Sequence, residues 1–225
     1  MATSRLIGAL CAVVGTAFAL AGPAAASCGL SGYSYAGIRA ARSADGISAR
    51  LAAVSAPKVE NGHVAAWVGV GGSGAGAGGA DEWLQVGLSA EPGGSSRLYY
   101  EVAQPGYAPR YVVLDANVPV GSTHGLGVLE VLGRPDVWRV WVDGTPVSQP
   151  LYLPGSHHAW NPIATAESWD GGVASCNGFG YKFSNVSIAT RPGGGWQRLV
   201  SGTWLQDPGY RVQRRSPSVF LAGRA

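Results

Sequence analysis

The chain has 225 residues, including 35 glycines and 14 prolines, and only 13% of its residues are charged. This length suits one all-β domain or one small mixed domain. A formal net charge of +3 is too small to indicate a nucleic-acid partner.

The first 26 residues have the features of a secretory signal peptide. Arg5 precedes an apolar run over residues 6–20, and alanines at positions 24–26 provide a cleavage site. We therefore expect residues 1–26 to be removed and the mature protein to be secreted, without a membrane anchor. Cys28 and Cys176 then remain in an oxidising compartment, where we expect them to form a disulfide. A lipid on Cys28 is the alternative, although the leucine typical of a lipobox is absent.

Short apolar stretches rich in Val, Trp and Tyr recur between glycine and proline turns, a pattern typical of an all-β sandwich. The predicted strands span residues 33–39, 47–54, 63–70, 83–88, 97–103, 111–117, 125–132, 138–142, 145–148, 162–169 and 179–189. Asp143-Gly144 is the strongest hairpin signal. We predict one antiparallel sandwich domain over residues 27–192. Residues 193–225 are glycine-rich, then basic, and are expected to be a partly disordered extension.

Two patterns suggest ligands, but neither supports a cofactor or a metal. The glycines of residues 69–74 match G-x-G-x-x-G by letters, yet no helix pattern follows. His157 and His158 are adjacent, and neighbours on a strand point to opposite faces, so they would make a poor metal pair. His63 and His124 are isolated in the sequence. We expect no cofactor and no metal.

Seven short motifs follow one another along the chain. They are YAG at 35–37, a strand at 46–57, AWVGVGG at 66–72, WLQVG at 83–87, YYE at 99–101, WRVWVDGT at 138–145 and AE at 166–167. Their order resembles that of the glutamic peptidase family, the eqolisins. The resemblance implies a concanavalin A-like β-sandwich, or jelly roll, that acts as a monomer on a polypeptide substrate.

The resemblance also implies a catalytic pair. The family's catalytic glutamine corresponds to Gln85, and its catalytic glutamate corresponds to Glu167. One carboxyl can act as base and then as acid, while an amide N–H can stabilise the oxyanion. Such a pair favours acid pH and needs no metal.

Aromatic and acidic residues near this pair are candidates for substrate binding. Tyr99 and Tyr100 point to opposite faces of a strand, so only one can line a given groove. The substrate-binding candidates are Trp67, Tyr100, Glu101 and Trp169.

Three departures from the family pattern accompany these matches. Glycines at positions 71 and 72 replace an acidic residue, and Gly121-Ser122 replaces a Gly-Asp pair. Trp169 stands one position later than the family's tryptophan. A shift by one residue places a side chain on the other face of a regular strand, unless a bulge restores it.

Two other functions fit the same sandwich, because one fold hosts many functions. The first is a lectin-like module that binds a glycan or a protein through aromatic side chains. The second is a glycoside hydrolase that uses Glu101 and Glu167 as a carboxylate pair.

Overall fold

The computed structural model describes residues 32–170 and 176–224. In this part of the chain it contains eighteen strands and one short 3-10 helix at Ala77–Gly79. The strands are β1 (Tyr33–Ala40), β2 (Gly46–Ala53), β3 (Lys58–Val59), β4 (His63–Gly72), β5 (Glu82–Ala90), β6 (Arg97–Ala103), β7 (Arg110–Asp115), β8 (His124–Glu130), β9 (Val137–Val142), β10 (Thr145–Pro146), β11 (Leu151–Tyr152), β12 (Ile163–Trp169), β13 (Asn177–Gly178), β14 (Gly180–Arg191), β15 (Gly194–Arg198), β16 (Gly202–Gln206), β17 (Tyr210–Ser216) and β18 (Val219–Arg224).

Two large antiparallel sheets form a sandwich. One sheet has seven strands in the order β16-β1-β12-β4-β5-β6-β7. The other follows the order β10-β9-β8-β2-β14-β18-β17, with β11 paired to β9 and β15 paired to β14. Strands β3 and β13 form a separate small ladder. The predicted all-β sandwich is therefore confirmed.

The core lies between the two sheets and follows the two-residue period of the strands. In β4, Val64 and Val68 are fully buried in this core, and in β5 Leu84 and Leu88 are too. The residues between them point to the other side of the seven-stranded sheet. This outer face of the seven-stranded sheet carries the polar side chains that are described in the next section.

The C-terminal segment corrects one expectation. Residues 194–224 form four strands that extend both sheets instead of a partly disordered extension. Tyr210 and Phe220 are buried in the core, and Trp204 packs against it. The composition did not predict these strands, because a segment rich in glycine and arginine resembles a disordered one. Edge strands of a sheet nevertheless carry charged residues at their exposed positions.

Several predictions concern residues outside the described part of the chain. They include the signal peptide and Cys28, so secretion and the disulfide between Cys28 and Cys176 stay predictions. Over residues 32–170 and 176–224, no helix is long and apolar enough to cross a membrane.

Candidate active site

A groove runs over the outer face of the seven-stranded sheet. It has a volume of about 790 Å³. Strands β1, β12, β4, β5 and β6 contribute side chains to it, mostly from the face opposite the core. The functional side chains that line it include Tyr35, His63, Trp67, Gln85, Tyr99, Glu101 and Glu167.

Gln85 lies in β5, opposite Gly69 of β4 on one side and Glu101 of β6 on the other. Its Nε2 donates to Oε2 of Glu101 at 3.1 Å and to the Tyr99 hydroxyl at 3.2 Å. A Cβ at position 69 would lie 2.8 Å from the Cβ of Gln85. Glycine at this position therefore leaves room for the amide.

Glu167 lies in β12, two strands away from Gln85, and is only 5% exposed. It is opposite Ala65 of β4, whose small side chain leaves room for the carboxyl. His63 of β4 places its Nε2 3.6 Å from Oε1 of Glu167. The imidazole also stacks on Trp169 with a 5.8 Å separation of ring centroids. Glu167 therefore has a basic neighbour whose ring is held by an aromatic side chain.

Glu101 is a second carboxyl in the same groove. Burial raises its pKa, and the negative charge of Glu167 raises it further. His63 and the hydrogen bond from Gln85 act in the opposite direction but are smaller effects. Glu101 thus keeps its proton to higher pH than an ordinary glutamate does.

Trp67 and Tyr99 form the floor beside the amide. Both are buried, and they pack together in a small apolar cluster that is separate from the main core. Burial, followed by the charges of Glu167 and Glu101, raises the pKa of Tyr99, so its hydroxyl stays neutral. Among the described residues, Nε1 of Trp67 has no hydrogen-bond partner.

Comparison with solved structures identifies this architecture. Scytalido-glutamic peptidase, crystallised with a peptide-based transition-state analogue, matches 86% of this chain over 100% of its own, with a TM-score of 0.61 and 14% identity. The fold is that of the glutamic peptidases. SCP-B, an eqolisin in complex with the tripeptide Ala-Ile-His, matches 87% of this chain over 100% of its own, with a TM-score of 0.59 and 13% identity.

Comparison with family models and with curated proteins finds no match. The likeness to the glutamic peptidases therefore concerns the fold. It confirms the sandwich that the motifs implied and leaves the activity to be argued from the site.

The structure corrects one predicted substrate-binding residue. Tyr100 points into the core between the sheets, whereas its neighbour Tyr99 lines the groove. Residues two apart on a strand share a face, so Tyr99 lies on the same side as Glu101.

Trp67 and Glu101 line the groove, and Trp169 lies on the same face as Glu167. No bulge interrupts the pairing of β12 with β4. Consequently Ser168, at the position of the family's tryptophan, is buried on the core side, and Trp169 is 38% exposed at the edge of the groove.

His63 is the site residue that the sequence interpretation missed. It is isolated in the sequence, yet in the structure it lies beside Glu167. It lies four residues before Trp67 on one strand, so both side chains are on the same face. The two-residue period of β4 could therefore have placed His63 in the groove.

Proposed function

We propose that this chain is a secreted peptidase of the glutamic type that hydrolyses polypeptides at acid pH. The observation that carries the proposal is the placement of Gln85 and Glu167 in one groove, on one face of one sheet. The family resemblance pairs these two residues from the motifs alone. Two residues that act on one substrate must also face the same groove, and Gln85 and Glu167 both line it.

Glu167 is the proposed base and acid. Its carboxylate would take a proton from water, and the oxygen of that water would bond to the peptide carbonyl carbon. The same carboxyl would then give the proton to the leaving nitrogen as the C–N bond breaks. A low exposure of 5% limits competing solvent around this carboxylate.

Gln85 is the proposed oxyanion donor. Its Nε2 donates to Glu101 and to Tyr99 in this structure, so both N–H groups have partners. An oxyanion in the groove would replace one of these acceptors. Because an anion accepts a stronger hydrogen bond than a neutral hydroxyl, the exchange would favour the tetrahedral intermediate.

The surrounding charges support acid pH. His63 lies 3.6 Å from Glu167 and gives the groove a positive charge when it is protonated. Glu101 has a raised pKa, so it holds its proton to higher pH than an ordinary glutamate does. As long as Glu101 is protonated, it adds no second negative charge beside Glu167.

A second candidate function rests on the same two carboxyls. Glu101 and Glu167 face one groove and influence each other electrostatically, and Glu101 holds its proton more tightly than usual. One neutral and one ionised carboxyl is also the arrangement of a glycoside hydrolase. Aromatic side chains in the groove would suit a sugar ring as well as a peptide.

The full chain should be assayed on denatured casein and, in parallel, on a panel of polysaccharides, between about pH 2 and 7. We expect new peptide termini by mass spectrometry, with the fastest cleavage on the acid side. The Glu167→Gln variant, purified in the same way, controls for contaminating proteases. Release of reducing sugar without peptide cleavage would replace the peptidase by the second candidate, and inactivity on both would contradict both.

A further inference from the structure

A tight turn between β11 and β12 brings two histidine rings together. His157 and His158 lie in this turn, and His158 has a positive φ of 57°. Their ring centroids are only 3.7 Å apart. The expectation that adjacent histidines point to opposite faces is therefore wrong, because it assumed a strand, whereas the left-handed residue turns both rings to one side.

Each ring is paired with a buried carboxylate. Nδ1 of His157 lies 2.9 and 3.0 Å from the two carboxyl oxygens of Glu130, which is fully buried. Nδ1 of His158 lies 2.6 Å from Oδ1 of Asp45, which is 1% exposed. The rings themselves remain open, with 36% and 57% of their side-chain surface exposed.

These contacts prepare the two rings to bind a metal in different ways. A neutral His157 that donates from Nδ1 to Glu130 keeps its lone pair at Nε2. Glu130 then fixes the ring and makes it a better ligand, as in carboxylate–histidine–metal arrangements. In His158, Nδ1 and Oδ1 of Asp45 lie 2.6 Å apart, so an ion can take the place of the proton that these two atoms share. If both rings were protonated instead, two positive charges would be held in ring contact.

We propose that Asp45, His157 and His158 bind one divalent transition-metal ion, with Glu130 positioning His157 from behind. A carboxylate oxygen of Asp45 and one nitrogen of each histidine lie within 4.8 Å of one another. Two imidazoles and one carboxylate form a ligand set typical of Zn²⁺ sites that keep a position for water. The solvent exposure of both rings leaves room for that water.

A metal ion bound at this site would connect segments of the fold at one end of the groove. Asp45 belongs to the connection between β1 and β2, Glu130 ends β8, and the histidines belong to the turn. The chain continues from this turn into Ala159, Trp160 and Asn161, which line the groove. An ion at this position would tie three segments together beside the groove rim.

Metal binding can be measured without any assay of activity. The full chain, freed of metal with a chelator, should be titrated with Zn²⁺ by calorimetry at about pH 7.5, where free imidazole is neutral. Co²⁺ should be used as a spectroscopic probe of the coordination. His158→Asn is the main variant, because asparagine tolerates a positive φ. Glu130→Gln tests the carboxylate behind His157.

His124→Ala is the matched control. His124 also pairs with a carboxylate, with Nδ1 3.0 Å from Oδ2 of Asp143, but has no second histidine in ring contact.

We expect one Zn²⁺ per chain, Co²⁺ bands of a four- or five-coordinate site, and a rise in melting temperature with added metal. His157→Ala, His158→Asn and Glu130→Gln should each weaken binding by about 10- to 100-fold. His124→Ala should bind as the unchanged protein does. Absence of binding at millimolar Zn²⁺, or binding that survives replacement of both histidines in protein with a native circular dichroism spectrum, would overturn the proposal. Because the readout is metal affinity, failure here leaves the proposed peptidase untouched.

Discussion

The groove and the turn beside it both combine two carboxyls with histidine, but they balance charge differently. In the turn, Glu130 pairs with His157 and Asp45 pairs with His158. In the groove, Glu101 and Glu167 are near a single histidine, His63, and the other close partner of Glu101 is the neutral amide of Gln85.

This difference in the number of histidines per carboxyl indicates different roles for the two sites. Each of the two carboxylates beside the turn has its own histidine partner, and this contact holds each ring in a fixed place. The groove has an excess of one carboxyl, and the pKa of Glu101 is raised there, first by burial and then by the charge of Glu167. Groups whose protonation is poised in this way are typical of catalytic sites.

Replacing the groove carboxylate should have the largest effect. Glu167→Gln keeps the size of the side chain but removes the proposed base, so we expect kcat for peptide hydrolysis to fall by about 10²- to 10⁴-fold. Asp115→Asn, which changes an exposed carboxylate on β7 of the same sheet, should leave kcat unchanged. Equal losses of kcat in the two variants would contradict a special role for the groove carboxylate.

Replacing the second groove carboxyl should change the pH profile more than the maximal rate. The raised pKa of Glu101 means that it ionises at higher pH than an ordinary glutamate, and this adds negative charge beside Glu167. Glu101→Gln cannot ionise, so its activity should extend to higher pH in a full rate profile. If Glu101→Gln abolishes activity instead, Glu101 is itself a reacting acid, as the second candidate function requires.

Glu82 is a third kind of carboxyl, because it is fully buried and its oxygens have no hydrogen-bond partner among the described residues. Burial, and then the charge of Asp136, raises its pKa to about 7. The folded state therefore holds a proton that the unfolded state loses near the ordinary glutamate pKa of 4.5. The resulting stabilisation is complete below that pH and is lost as the pH rises through 7.

Glu82→Gln should remove this pH dependence. Urea unfolding at about pH 5 and pH 8 should show that the unchanged protein loses more stability between the two than the variant does. Identical losses in both proteins would mean that Glu82 already has a partner.

A smaller change is expected at the histidine of the groove. His63→Phe keeps an aromatic ring against Trp169 but removes the positive charge 3.6 Å from Glu167. The charge of His63 lowers the pKa of Glu101, so without it Glu101 should keep its proton to higher pH. The alkaline limb of the rate profile should therefore move to higher pH, by less than about one unit because His63 is partly exposed. An unchanged alkaline limb would show that the groove does not use its histidine charge.

The parts of this structure that follow a regular strand could be predicted from the sequence. The alternation in β4 and β5 placed the core, and the motifs placed Gln85 and Glu167. The same period, applied from Glu101, also assigns Tyr99 and not Tyr100 to the groove. Features that depend on non-regular backbone could not be predicted, and the positive φ of His158 is the clearest case.

The C-terminal strands were missed for a different reason. Their buried residues, such as Val212 and Ala222, alternate with charged or small ones in a glycine-rich context, and the composition suggested disorder. Two of them pair with distant partners: β16 pairs with β1 and β18 pairs with β14, each more than thirty residues away in the chain. Such long-range pairing overrides local propensity.

The most direct test of the central claim is a double-mutant cycle between Glu167→Gln and Gln85→Ala on kcat for casein hydrolysis. Gln85→Ala alone should lower kcat by about 10²- to 10³-fold, as loss of an oxyanion donor does. If the two residues act as one unit, the double variant should be no slower than Glu167→Gln alone, because the second loss removes nothing further. Losses that multiply, or activity that survives both changes, would contradict the account.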